Sequence, residues 1–245
     1  MRIPRIYTEQ PLASDACVTL EKSASHHLTN VLRLGIDDTV TLFNGQGAEY
    51  PGVITAQRKK AVSVRTGEKQ QKACESPLAI HLGVAISRGE RMDWVIQKAT
   101  ELGVTAVSPL FSERVEVKLS GDRAEKKLRH WQEIAISACE QCGRNTLPLL
   151  SPPQNIRGWL ANTEAARKFV LHHEASQGRE GKDIPSTIAL LVGPEGGLST
   201  TEIVQAENNG YAALSLGPRV LRTETAPLAA IAILQSKWGD MTPHA

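Results

Sequence analysis

Aromatic side chains are scarce in this chain, with 3 Phe, 4 Trp and 3 Tyr among 245 residues. That is too few to pave a sheet with stacking platforms for single-stranded RNA. Cysteine is scarcer relative to length: 4 residues cannot form a disulfide scaffold for a chain of this size. Cys139 and Cys142 make a C-x-x-C pair, but Cys17 and Cys74 stand alone. The second pair of a structural zinc site is therefore missing, and the expectation is thiols buried or half-buried on a helix, with no metal. No apolar run approaches the roughly 18 residues that span a bilayer, and the opening Met1-Arg-Ile-Pro-Arg-Ile-Tyr7 lacks the apolar core of a signal peptide. A cytoplasmic protein without a membrane partner is expected. Net charge is also small, +2, so any nucleic acid must be held by local placement of Lys and Arg and not by bulk charge.

What is present is the composition of a folded protein, 41% hydrophobic and 22% charged, with enough chain for one large or two modest domains. Charge is unevenly spread. Residues 1–72 carry 10 basic and 7 acidic side chains, residues 73–150 carry 10 and 10, and residues 151–245 carry 8 and 9. The polar stretch Lys69-Gln-Gln-Lys-Ala-Cys-Glu-Ser-Pro77 reads as a linker, giving a domain over 1–72 and another over 73–245. In the first, β-rich runs at 16–20, 39–43, 53–56 and 61–64 and a hairpin-type Asn44-Gly45 predict a small β-barrel-like domain. One helix interrupts it, with Ser25 as its cap and Leu28, Val31 and Leu32 on one face before Gly35. In the second, apolar strands at 80–86, 104–107, 168–172, 187–192 and 212–216 alternate with helices. That alternation predicts an α/β domain with a mostly parallel sheet covered on both faces.

Ligands of such sheets bind beyond the carboxyl ends of the strands, so the segments that follow strands are where chemistry is expected. Three stand out. Gly193-Pro-Glu-Gly-Gly197 follows a strand and precedes a helix opened by a Ser199/Glu202 capping box; its glycines permit positive φ and close backbone approach to a ligand. It matches neither the ATPase phosphate loop nor the dinucleotide fingerprint, since no Lys follows and the glycine spacing differs. Leu216-Gly-Pro-Arg-Val-Leu-Arg-Thr-Glu-Thr-Ala226 leads into the last helix, with Thr225 as a candidate cap, and is longer and more charged than a connector needs. Leu171-His-His-Glu174 ends a strand; adjacent strand histidines point to opposite faces, which makes a shared metal improbable.

The paired loops resemble the signature of the SPOUT superfamily of methyltransferases in its RsmE branch. His27 with Val31-Leu-Arg33, Arg88-Gly-Glu-Arg-Met-Asp93, Lys98-Ala-Thr-Glu-Leu-Gly103, Ser112-Glu-Arg114 and Glu140-Gln-Cys-Gly-Arg144 resemble further blocks of that family in order. The resemblance implies S-adenosylmethionine-dependent methylation of N3 of a uridine in 16S ribosomal RNA, within the assembled small subunit. It implies a PUA-like barrel for RNA, a C-terminal SPOUT domain with a trefoil knot, and a homodimer. It further implies that Leu171, His172, Gly193, Pro194, Glu195, Gly196, Gly197, Leu216, Gly217, Leu221, Arg222, Thr223, Thr225 and Ala226 form the cofactor site, mostly through backbone groups.

For the chemistry, uracil N3 carries a proton that must leave, so Glu224 is expected as the base and Arg222 as the cation on a uracil oxygen; the alternative is that the two simply pair with each other, or with helix ends, and hold the loop. Arg2, Arg5, Arg33, Lys98, Arg114 and Arg144 are the expected RNA phosphate contacts, against the alternative of solvated surface charges. Two other classes keep part of the pattern. A non-catalytic RNA-binding protein needs no glycine loop, and a small-molecule transferase needs no RNA.

Overall fold

The computed structural model describes residues 3–58, 61–117, 119–172 and 183–242. The chain divides into two units, one running to Glu75 and including Ile136–Leu147, the other holding Ser76–Ala135 and Pro148 onward. Sequence pattern alone assigns 136–147 to the second domain. The structure returns it to the first, because Glu140, Arg144 and Asn145 are bonded there.

The first unit is built on β1 (Arg5–Tyr7), β2 (Cys17–Thr19), β3 (Thr39–Phe43), β4 (Ala48–Arg58), β5 (Ala61–Thr66) and β6 (Gln70–Gln71). They form a six-stranded sheet ordered β1-β3-β4-β5-β2, with β6 on β4; all pairings are antiparallel except β1 with β3. Alternate residues of these strands, among them Ile6, Val18, Val40, Leu42, Ile54, Val62 and Val64, share one buried core. The expected helix is present but differs from the prediction. α1 (Lys22–His26) passes directly into a π-helical turn, His27–Val31. The wider turn shifts the helical phase, so Leu28 is fully buried while Val31 is 60% exposed. Ser25 is not the cap, a place taken by Glu21. Its hydroxyl instead donates to the Leu20 carbonyl and accepts the Val62 N–H, tying the helix to β5.

The second unit contains β7 (Ala79–Ala85), α2 (Arg91–Glu101), β8 (Ala106–Phe111), most of α3 (Asp122–Cys142), β9 (Leu149–Leu150), β10 (Gln154–Asn155), α4 (Ile156–Asn162), β11 (Arg167–Leu171), β12 (Thr187–Val192), α5 (Thr200–Asn208), β13 (Ala212–Leu214) and α6 (Thr225–Trp238). Among the described residues its seven strands are all parallel, in the order β10-β8-β7-β12-β11-β13 with β9 on β8. Even-numbered residues of β7 and β12 (Ile80, Leu82, Ile188, Leu190) pack with α2, α3 and α6, and odd-numbered Ala189 and Leu191 pack with α4 and α5. The near-continuous apolar character of these strands is thus burial on both faces.

Two positions show how closely the α4 face is fitted. A Cβ on Gly83 would stand 2.5 Å from the Trp159 ring, so only glycine admits that indole. Beside it, Trp159 Nε1–H donates to His81 Nε2 at 3.3 Å, and Ser108 Oγ lies 2.8 Å from the same nitrogen. An Nε2 that accepts must be unprotonated, and burial lowers the His81 pKa from 6.5. Below pH 6.5 the unfolded chain binds a proton at this position that the native state refuses, so stability falls as pH drops through that value. Denaturant midpoints at pH 7.5 and 5.5 should differ more for the native protein than for His81→Gln; equal differences would remove His81 from the acid response.

The cysteines are all free. Cys139 is buried on α3 and donates to the Thr146 carbonyl. Burial, the largest influence, pushes its thiol up to about 12, which leaves it unreactive. Among the described residues no helix is long and apolar enough to cross a membrane.

Candidate cofactor and catalytic site

At the carboxyl edge of the parallel sheet, three segments come together: the end of β11, the loop after β12 and the loop after β13. β11 and β13 are in register, with Leu171 opposite Leu214, and the His172 N–H donates to the Leu214 carbonyl. The loop after β12 folds back on itself through a Gly197 N–H to Pro194 carbonyl bond of 2.8 Å, with Gly197 at φ +69°. A Cβ on Gly193 would lie 2.9 Å from the Leu198 nitrogen, so that turn requires glycine. The capping box forms as expected, Ser199 Oγ accepting from the Glu202 N–H and Glu202 Oε2 from the Ser199 N–H. The second oxygen of the buried Glu202 carboxylate accepts the Glu113 N–H at 2.8 Å, anchoring the segment after β8 to the same loop.

The loop after β13 ends in α6, whose first turn is closed by Thr225 and Ala226 N–H groups donating to the Arg222 carbonyl. The cap residue is Glu224, not Thr225, and its carboxylate makes no bond to the helix amides. Released from capping, that carboxylate accepts the Thr223 hydroxyl at 3.2 Å and faces Arg91 Nε at 3.9 Å. Arg222 is exposed and forms no ion pair among the described residues, so the alternative in which Arg222 and Glu224 hold each other is not what the loop does.

These segments enclose a cavity of about 660 Å³, within the ordinary range for a small-molecule site. Leu171, His172, Gly193, Pro194, Glu195, Gly196, Gly197, Leu216, Gly217, Leu221, Arg222, Thr223 and Ala226 line it, and so does Glu224. Thr225 is not on its wall. The sequence reading missed Val192, Leu198, Leu214, Arg219, Val220 and, most consequentially, Arg91. Arg91 sits at the start of α2, distant in sequence from the loops, and Nη1 reaches Glu195 Oε1 at 2.7 Å. Burial opposes ionisation of Glu195. Hydrogen bonds from its own backbone, from Arg91 and from the Arg88 N–H outweigh that and hold the carboxyl below its usual range. An open groove of about 900 Å³ adjoins the cavity, sharing Arg91, Arg114, Glu195 and Gly196 as a common wall.

The expected RNA contacts separate. Arg33 is exposed, at φ +56°. Lys98 pairs with Glu101 and lies 5.1 Å from the Trp94 ring centroid on α2. Arg114 belongs to the cavity wall, where Nη1 donates to the Gly196 carbonyl at 2.6 Å. Arg5 and Arg144, expected at the RNA surface, are instead turned inward. Arg5 is held by Glu49, the Asn145 side chain and the Arg144 carbonyl, and Arg144 by Glu75 at 2.6 Å. Their side chains are 7% and 4% exposed. Buried and already bonded, neither guanidinium is presented to a phosphate. Arg2 lies outside the described residues.

Two family models match the chain: an RNA methyltransferase domain over residues 74–235 and an RNA methyltransferase PUA domain over residues 20–66. A parallel sheet with a glycine-walled cavity at its carboxyl edge, joined to that N-terminal module, defines the class as a SPOUT-type RNA methyltransferase. Among named relatives, the ribosomal RNA small subunit methyltransferase E of Buchnera aphidicola from Schizaphis graminum is 40% identical over 243 residues, covering 98% of this chain and 99% of the relative. The Bacillus subtilis protein of the same name is 30% identical, covering 93% of each. The chain belongs to the ribosomal RNA small subunit methyltransferase E family. Solved structures similar to it include that enzyme from Neisseria gonorrhoeae bound to S-adenosyl methionine (TM-score 0.91, 41% identity, 98% of this chain and 100% of the other). A methyltransferase from Legionella pneumophila with bound S-adenosyl methionine aligns with a TM-score of 0.94 at 41% identity, over 98% of this chain and 100% of the other.

Proposed function

We propose that this protein methylates N3 of a uridine in 16S ribosomal RNA with S-adenosylmethionine as donor. The observation that carries the reading is the cavity itself. Its glycine-rich walls face Arg222 and Glu224, the two side chains the reaction calls for, and neither is used up in holding the other. The residues present fit the cofactor. Leu171, Leu214, Leu216 and Leu221 supply apolar wall for a purine, and the backbone of 193–197 approaches closely because side chains are absent there. When bound, S-adenosylmethionine supplies an electrophilic methyl group on a sulfonium.

The protein's part is alignment and charge control. Glu224 accepts the N3 proton as the N3–carbon bond forms and the carbon–sulfur bond breaks. Arg222 donates to a uracil oxygen, where the negative charge of the deprotonated ring accumulates. Arg33 and the basic first 72 residues guide RNA through phosphate contacts. The protein acts in the cytoplasm as a homodimer on the assembled small subunit, with the C-terminal segment knotted through the sheet edge.

Incubation of the protein with methyl-labelled cofactor and undermethylated small subunits, followed by nucleoside analysis, should yield labelled 3-methyluridine. Label in another base or in a ribose would overturn the assignment. Cofactor binding in calorimetry without any transfer to RNA would favour a small-molecule transferase.

A further inference from the structure

Arg91 touches both loops of the site through one side chain. Its Nη1 is 2.7 Å from Glu195 of the loop after β12, and its Nε is 3.9 Å from Glu224 of the loop after β13. No other side chain among the described residues forms ion pairs with both loops. The guanidinium is rigid and planar, so holding one carboxylate fixes where its remaining edge can meet the other. Its base is fixed as well. Two residues along α2, Asp93 accepts from Trp131 Nε1 and Lys127 Nζ at 3.0 Å and from His130 Nε2 at 2.7 Å, all on α3. The first turn of α2 is thereby pinned from behind while Arg91 reaches forward.

We propose that Arg91 is a positioning residue that sets the Glu224 carboxylate for proton abstraction and couples that setting to Glu195 in the cofactor loop. The inference rests on Glu224 being the base. Arg91 itself need touch neither uracil nor the methyl group. Glu224 has no helix-capping bond to orient it and one weak hydroxyl partner, so without Arg91 its rotamer is set by the Thr223 hydroxyl alone. Lysine places a point charge in the same region but cannot present two donor edges at a fixed angle.

Five proteins test this: the native chain, Arg91→Gln, Arg91→Lys, Glu224→Gln and the Arg91→Gln/Glu224→Gln double variant. Each is assayed for single-turnover methylation at saturating cofactor and RNA, and for cofactor affinity by calorimetry. Arg91 is 43% exposed, so the fold should survive; Arg91→Lys serves as a second variant. Arg91→Gln is expected to slow single turnover by about 10- to 100-fold, the scale of a misplaced reacting group, and to weaken cofactor binding through Glu195. Arg91→Lys should recover part of the rate. In the Glu224→Gln background, Arg91→Gln should cost less than about 2-fold further in rate while still weakening cofactor binding. Effects that multiply fully, or a normal Arg91→Gln rate, would overturn the coupling and leave Glu224 as base. A normal Glu224→Gln rate would overturn the base assignment itself, and the inference with it.

Discussion

Replacing Glu224 by Gln should lower the single-turnover rate of uridine methylation by about 10²–10⁴-fold, the usual contribution of a positioned general base. Cofactor affinity should stay unchanged. The expectation follows from the local geometry: the carboxylate lies on the wall of the cavity, caps no helix and faces a guanidinium at 3.9 Å. An amide of the same shape keeps the Thr223 contact but cannot take a proton. Arg222→Gln should cost about 10²–10³-fold in the same assay, since it removes one donor to the developing oxyanion. If both variants turn over normally with native cofactor affinity, neither side chain takes part in the chemistry.

Arg5→Met should destabilise the protein by about 3–5 kcal/mol without directly removing an RNA contact. That is the range for leaving one member of a buried ion pair uncompensated. At roughly 2–4 °C per kcal/mol for a chain of this size, the thermal midpoint falls by about 6–20 °C. Glu49 is only 11% exposed at its side chain and would be left with the Asn145 amide, 3.3 Å away. Combining Arg5→Met with Glu49→Leu removes the orphaned charge, so the double variant should recover most of the loss. Calorimetric melting of the three proteins decides it, and a midpoint unchanged in Arg5→Met would return that residue to the surface contacts. RNA affinity measured well below the lowered midpoint should remain within error of native, whereas neutralising the exposed Arg33 should flatten the salt dependence of binding.

Much of the architecture was legible because it rests on short-range rules. Runs such as Ile188-Ala-Leu-Leu-Val192 announced a strand buried on both faces, and the Ser199/Glu202 spacing announced a helix start that formed as written. The two loops of the cavity were visible for the same reason, since glycine spacing reports backbone geometry directly. The failures share a cause too. Ser25 and Thr225 have good capping chemistry, but β5 claimed the Ser25 hydroxyl and the Arg222 carbonyl drew α6 to begin one residue before the expected start. The π-helical turn at His27–Val31 rotated Val31 outward against a pattern read with a period of 3.6.

The sequence by itself determined the α/β class and marked the loops after β12 and β13. Both depend on neighbours within a few positions of one another. Only the tertiary structure decided what the charged side chains do. Arg5, Arg91, Arg114 and Arg144 are the same side chain, and nothing within a few residues of any of them names its partner. Folding buries Arg5 against Glu49 and Arg144 against Glu75, sets Arg91 between Glu195 and Glu224, and seats Arg114 on the Gly196 carbonyl. A guanidinium's role is fixed by the acceptor it meets, and in each case that acceptor comes from a segment tens of residues away.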